Sequence, residues 1–306
     1  MRWLFFLGTL IALVPTAAAA PILSVTAPAP VIALAADGSR VAYAAGFSAG
    51  DCNRVRLWNL DPVGVTRLGR GTSCVRTSTG TAITSLALAG RRALWLHVTG
   101  GNIREWSLWT ATGHLPVARR LRMSRADADD PAPIVLGSGD STRLGGILPY
   151  AVGRTVTALR VNGSRRFTWT APARVVALAA SEGVLAVAVE GGRVIVLDDN
   201  GLILRTEEFA RTAEVVRLTP NALLVQSGRS LELRENGGAR FYSLIAGVRL
   251  ADANDDHAIL VGGGKVRRLE LGSRSGAVIA SGALATLAGA QVAVASGRRV
   301  RFYPLP

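Results

Sequence analysis

The chain has 306 residues, a formal charge of +14 at pH 7 and only two cysteines. Its length supports a large core without demanding a second domain. Lys265 is the only lysine among 35 basic residues. The arginine excess, with abundant alanine and glycine, reads in part as GC-rich bacterial coding. The charge favours anionic partners, but the arginines are scattered with no basic block, which argues against nucleic acid.

The first stretch, MRWLFFLGTLIALVPTAAAAP, has a basic end, a short apolar core and small residues around an A-x-A site. This predicts a secretory signal peptide over 1–19, cut after Ala19, and a secreted, extracytoplasmic protein. A membrane anchor is the alternative, but the apolar run falls short of the roughly 20 residues a span needs. No later stretch is long and apolar enough to cross a bilayer, so no membrane span is expected after cleavage. In an oxidising compartment Cys52 and Cys74 are expected to pair. That bridge would close a loop of a little over 20 residues and contribute about 3 kcal/mol if unstrained.

From there the chain repeats. A strand ILSVTAP (22–28) is followed by VIALAADG (31–38), VAYAA (41–45) and RVRLWNL (54–60). The next unit reads ITSLALAG (83–90), ALWLHV (93–98) and NIREWSL (102–108). A less regular third unit contains RTVTALR (154–160). The fourth reads VVALAASEG (175–183), VLAVAV (184–189), RVIVLDD (193–199) and GLILRTEEF (201–209). RSLELRE (229–235), KVRRLEL (265–271) and RVRFYPL (299–305) mark three more. The period is roughly 35 to 50 residues, too short for a domain and right for a stacked unit. The apolar runs and alternations suit strands, and the glycine-rich turns between second and third strands suit tight hairpins.

Four antiparallel strands per unit, in seven units, predict an all-β fold: a single seven-bladed β-propeller over 20–306. The last unit stops after its third strand. The strand 22–28 is therefore expected to complete the seventh blade and latch the ring by edge pairing. RVRLWNL and NIREWSL resemble the closing strand of WD40 repeats, while VAVEGGRVIVLDDNGLIL is similar to YVTN- and PQQ-type repeats. Trp58 and Trp106 keep the tryptophan of the WD pair, but Asn59 and Ser107 follow it in place of the acid. The resemblance implies the propeller shape and no particular activity.

Chemical motifs are sparse. GFSAG places Ser48 in a nucleophile-like pattern, but a strand follows where a hydrolase needs a helix, so no catalytic residue is assigned. The three histidines, His97, His114 and His257, lack metal-ligand spacing; no metal or cofactor site is assigned. DANDD (252–256) reads as an Asx-rich turn, and GGGK (262–265) is a hairpin and no phosphate loop. Trp95, Trp106, Trp109 and Trp169 read as packing between blades.

The expectation is a monomeric, non-enzymatic platform for a protein or ligand. The elaborated blade-one loops, FSAGDCN to TSCVRTSTG, are the expected contact region. One alternative is a propeller lactonase or lyase with an axial metal. Another is an adhesin for anionic envelope polymer through Arg165, Arg166, Arg267, Arg268, Arg298 and Arg299.

Overall fold

The structure, a computed structural model, describes residues 21–46, 54–69, 81–142, 146–235, 238–273 and 275–305. Ser48, Cys52, Cys74, the leader 1–19 and most of the blade-one loops lie outside the described residues. The described chain is all strand and turn. It forms seven four-stranded antiparallel sheets, the blades, built from residues 31–68, 81–127, 134–170, 175–208, 215–243, 249–281, and 284–304 with 23–26.

The second strand of each blade shows why the sequence reads as it does. Val184–Val189 is buried along nearly its whole length. Leu185, Val187 and Val189 pack toward blade 3, whereas Ala186 and Ala188 pack toward blade 5. Both faces of the strand meet protein, so both periods of the alternation are apolar. The same division holds in blade 1, where Val41, Tyr43 and Ala45 face blade 7 and Ala42 and Ala44 face blade 2. Outermost strands have one wet face and alternate instead, as in Ile203–Glu208. Between Val184–Val189 and Arg193–Leu197 the turn needs Gly192 at φ 83°, where an added Cβ would lie 2.3 Å from the Phe209 carbonyl.

The apolar core is divided into seven clusters, each between two neighbouring blades. A single sheet therefore has no private core, and each blade depends on both neighbours. Contacts between innermost strands run from blade 1 through blade 7, and Val31–Asp37 of blade 1 packs against Leu284–Ala288 of blade 7. At that junction Trp58 and Phe302 meet edge to face with centroids 4.9 Å apart.

The N-terminal strand Leu23–Thr26 pairs with Arg299–Pro304, Leu23 opposite Phe302 and Thr26 opposite Arg299. No sheet closes on itself. The strand completes one four-stranded sheet and extends no further, and adjacent blades meet through side chains.

Blade 3 is the irregular one, and its glycines give the reason. The innermost strand is only Ile134–Leu136. The chain continues as Gly137-Ser138-Gly139-Asp140 in contact with both neighbours. A Cβ at Gly139 would lie 2.5 Å from the Leu88 carbonyl of blade 2, and one at Gly137 would lie 2.5 Å from Leu178 Cβ of blade 4. Backbone fills the space that side chains fill in the other blades, so the apolar repeat is lost from the sequence there.

Candidate functional site

All innermost strands begin at the same end of the axial channel. A cavity of about 390 Å³ there is lined by the starts of these strands, including Ile32, Thr84, Val135, Val176, Val215, Arg249 and Leu284. A second, of about 480 Å³, is lined by their ends and following turns. We call the first end the leading face and the second the trailing face. Leu34, Leu86, Leu136, Leu178, Arg217, Ala251 and Ala285, one from each blade, line both. Arg217 is the one charged residue common to the two linings, among the described residues.

Arg217 is engaged where it stands. Its Nε donates to the Ala251 carbonyl at 2.9 Å, Nη1 donates to the Val216 carbonyl at 2.8 Å, and Asp252 Oδ1 lies 3.6 Å from Nε. Desolvation pulls its pKa down, Asp252 opposes that shift, and the nearby Arg249 adds to it.

The acids of the trailing face are engaged as well. Asp252 Oδ2 accepts from Thr286 Oγ1 and from the Leu287 N–H, both at 2.8 Å, joining blade 6 to blade 7. Asp255 accepts from Thr219 Oγ1 at 2.5 Å and from Asn221 Nδ2 at 2.8 Å, joining blade 6 to blade 5. Asp37 accepts from the Gly90 N–H of blade 2. Asp140 accepts from the N–H and hydroxyl of Thr142. Within DANDD, Asp252 lies in the innermost strand of blade 6 and Asp255 in the turn after it, and these two carboxylates hold blades together. Among the described residues no three His, Cys, Asp or Glu side chains are grouped to hold a metal ion.

The histidines do not meet. His97 is buried in blade 2, with Nε2 2.6 Å from Thr81 Oγ1. Desolvation first, then Arg54, lower its pKa to about 4, against a smaller opposite pull from Glu105. Arg54 is buried beside it, its Nη1 donating to Thr81 Oγ1 at 3.4 Å, and its pKa too is lowered by burial. His114 is exposed, 3.2 Å from Arg91 Nη1. His257 is fixed at the blade 6 turn, its N–H donating to Asn254 Oδ1 at 2.8 Å. Of the tryptophans, Trp95 and Trp106 are buried between blades, Trp169 packs on a core cluster, and Trp109 lies 5.9 Å from the Arg120 guanidinium.

The leading face is different. Hairpins joining second to third strands turn there, and a basic residue follows the turn in blade after blade: Arg154, Arg193, Arg229, Lys265, and Arg298 with Arg299. Arg211 precedes the innermost strand of blade 5, and Arg249 opens that of blade 6. Arg193 pairs with Glu208 at 2.8 Å and Arg174 with Glu190 at 3.2 Å. From blade 5 to blade 7, by contrast, Arg211, Arg229, Arg249, Lys265, Arg298 and Arg299 are exposed and form no ion pair among the described residues. This arc is the strongest candidate surface.

The sequence reading missed Arg211, Arg229 and Arg249, although the aligned third strands already opened on a basic residue. The arginines it nominated as one adhesive set are divided by the fold. Arg165 and Arg166 begin the outer strand of blade 3 on the trailing face, and Arg166 pairs with Asp199. Arg268 pairs with Glu270 at 3.1 Å, and Arg267 Nη1 donates to the Gly262 carbonyl at 3.0 Å. Only Arg298 and Arg299 of that set belong to the arc.

No family profile matches the sequence, and no curated protein matches it. Solved structures do. A chain of the mitotic checkpoint complex aligns over 100% of both chains with a TM-score of 0.60 at 14% identity. U3-55K aligns over 91% of this chain and 96% of its own, with a TM-score of 0.60 at 14% identity. Saccharomyces cerevisiae Sqt1 aligns over 95% and 100%, with a TM-score of 0.55 at 12% identity. These are WD40-type propellers, and the seven four-stranded sheets of this chain fit a WD40-like propeller fold.

Proposed function

We propose that this propeller is an exported, non-enzymatic interaction platform that docks a partner protein on its leading face. The observation that carries the reading is the contrast between faces: the trailing face uses its acids to join blades, while the leading face holds exposed bases on short turns of a rigid ring. Groups fixed by the scaffold lose little entropy on binding. The likeness to a chain from the mitotic checkpoint complex is consistent with a role in assembly. The leader-like 1–19 supports export.

The test is photo-crosslinking in source cells, with a photoreactive residue at Lys265 on the leading face or at Asn200 on the trailing face. A discrete protein adduct is expected from Lys265 and none from Asn200. Equal labelling from both, or none from Lys265, overturns the reading. Mass spectrometry of the purified protein checks export, with a mature chain beginning after Ala19 expected.

A further inference from the structure

The arc of bases ends at a groove. Between blades 4 and 5, on the leading face, a concavity of about 530 Å³ is bounded by Phe209, Arg211, Arg229, Glu232 and Phe241. Phe209 and Val225 form a buried apolar floor, while 59% of Phe241 is exposed. The single acid of the lining is already paired: Glu232 Oε1 accepts from Arg234 Nε at 2.5 Å, a guanidinium that also reaches Glu207 at 3.4 Å and lies 4.9 Å from the Phe209 ring. The bases at the rim are not. Arg229 donates through Nε to the Leu244 carbonyl at 3.2 Å, and its terminal nitrogens have no partner among the described residues. Arg211 has none either.

We propose that this groove takes an acidic protein segment carrying an apolar side chain beside its carboxylates. The carboxylates engage Arg211 and Arg229, and the apolar group covers Phe241. This rests on the platform reading and names the chemistry of its partner.

Two physical features select that occupant. Guanidinium groups form paired, charge-assisted hydrogen bonds with carboxylates, and an aromatic ring next to arginine is the composition of interface hot spots. A purely anionic polymer would use the bases and leave Phe241 wet. Beyond the groove, Arg249, Lys265 and Arg299 extend the positive field along the same face. Further acids of the segment would be attracted to it, raising the association rate at low salt.

Fluorescence anisotropy on the mature protein tests this with three probes: a short peptide alternating Glu and Phe, one alternating Glu and Ser at equal charge, and inorganic polyphosphate. The Glu/Phe peptide is expected to bind about tenfold tighter than the Glu/Ser peptide, and Arg211→Ser with Arg229→Ser to weaken it by about tenfold or more. Phe241→Ser, at an exposed position, is expected to keep the wild-type thermal midpoint and to erase the preference between peptides.

Equal affinity for the two peptides, or no binding of either, overturns the proposal. So does polyphosphate binding as tight as that of the Glu/Phe peptide with no effect of Phe241→Ser, which would assign the arc to anionic polymers. Crosslinking from Lys265 separates the two readings. A protein adduct that survives the groove substitutions refutes the groove and leaves the platform standing. Loss of the adduct with those substitutions supports both.

Discussion

The seam between blades 5 and 6 is tied at both ends, by different chemistry. From the middle of the channel to the trailing face the ties use charged groups: Arg217 donates to Ala251, with Asp252 beside it, and the Asp255 carboxylate accepts from Thr219 and Asn221. Toward the leading face the tie is neutral. Buried Gln226 accepts from the Leu250 N–H at 2.6 Å and donates from Nε2 to the Val248 carbonyl at 3.2 Å. The uncharged amide satisfies buried backbone groups without engaging a surface charge. Arg229, Arg249 and Lys265 have no ion-pair partner among the described residues. Charge serves cohesion at one end and is available for contact at the other.

The largest expected effect comes from cutting the ionic tie. Asp252→Ala removes acceptors for the Ala253 N–H, Thr286 Oγ1 and the Leu287 N–H, and leaves Arg217 without its carboxylate. A loss of about 3 kcal/mol is expected, read from the urea midpoint. A loss below about 0.5 kcal/mol would erase the contrast between the faces.

Acid should act next, through the base that blade 2 buries. His97 has a folded pKa near 4, below its ordinary 6.5, so the unfolded chain binds the extra proton between those values. Its contribution is fully present above about pH 6.5 and is lost as pH falls toward 4, amounting to about 3 kcal/mol. His97→Gln should flatten that part of the stability–pH profile. An unchanged slope would show that His97 titrates normally.

Cutting the neutral tie should cost less. Gln226→Leu keeps the volume but strands the Leu250 N–H, for about 1–2 kcal/mol. A cost as large as that of Asp252→Ala would mean that the two ends of the seam do not differ in the way argued. The smallest effect belongs to the arc. Arg229→Ser, Arg249→Ser and Lys265→Ser together are expected to change stability by at most about 0.5 kcal/mol, with a slight gain at low salt. A larger loss would show that these bases hold the fold together.

The sequence made the blades legible because middle strands buried on both faces become apolar runs, as in VLAVAV and QVAVA, with glycine turns at fixed offsets. Blade 3 was harder to read because Gly137 and Gly139 fill its innermost layer with backbone. The surface was less legible than the fold. A basic residue opens RSLELRE, KVRRLEL and RVRFYPL, but only the strand directions show that these ends share one face. GARFYSL looks uniformly suited to a strand, and pairing is needed to separate exposed Phe241 from Tyr242, whose hydroxyl donates to the Leu271 carbonyl at 2.7 Å. DANDD reads as a turn, but Asp252 and Ala253 belong to the innermost strand of blade 6 and only 254–256 turn, and the part it plays in joining blades needs its neighbours to be seen.

The pairing of Leu23 with Phe302 joins residues from opposite ends of the sequence. Leu23–Thr26 must wait for the synthesis of Arg299–Pro304 before it has a hydrogen-bonding partner, and such distant contacts form slowly. Removing the final strand would orphan the first as well, so damage at either end undoes the same sheet. A circular permutant with the old ends joined by a short linker and new ends opened at the Gly263-Gly264 turn would turn that late encounter into a local hairpin.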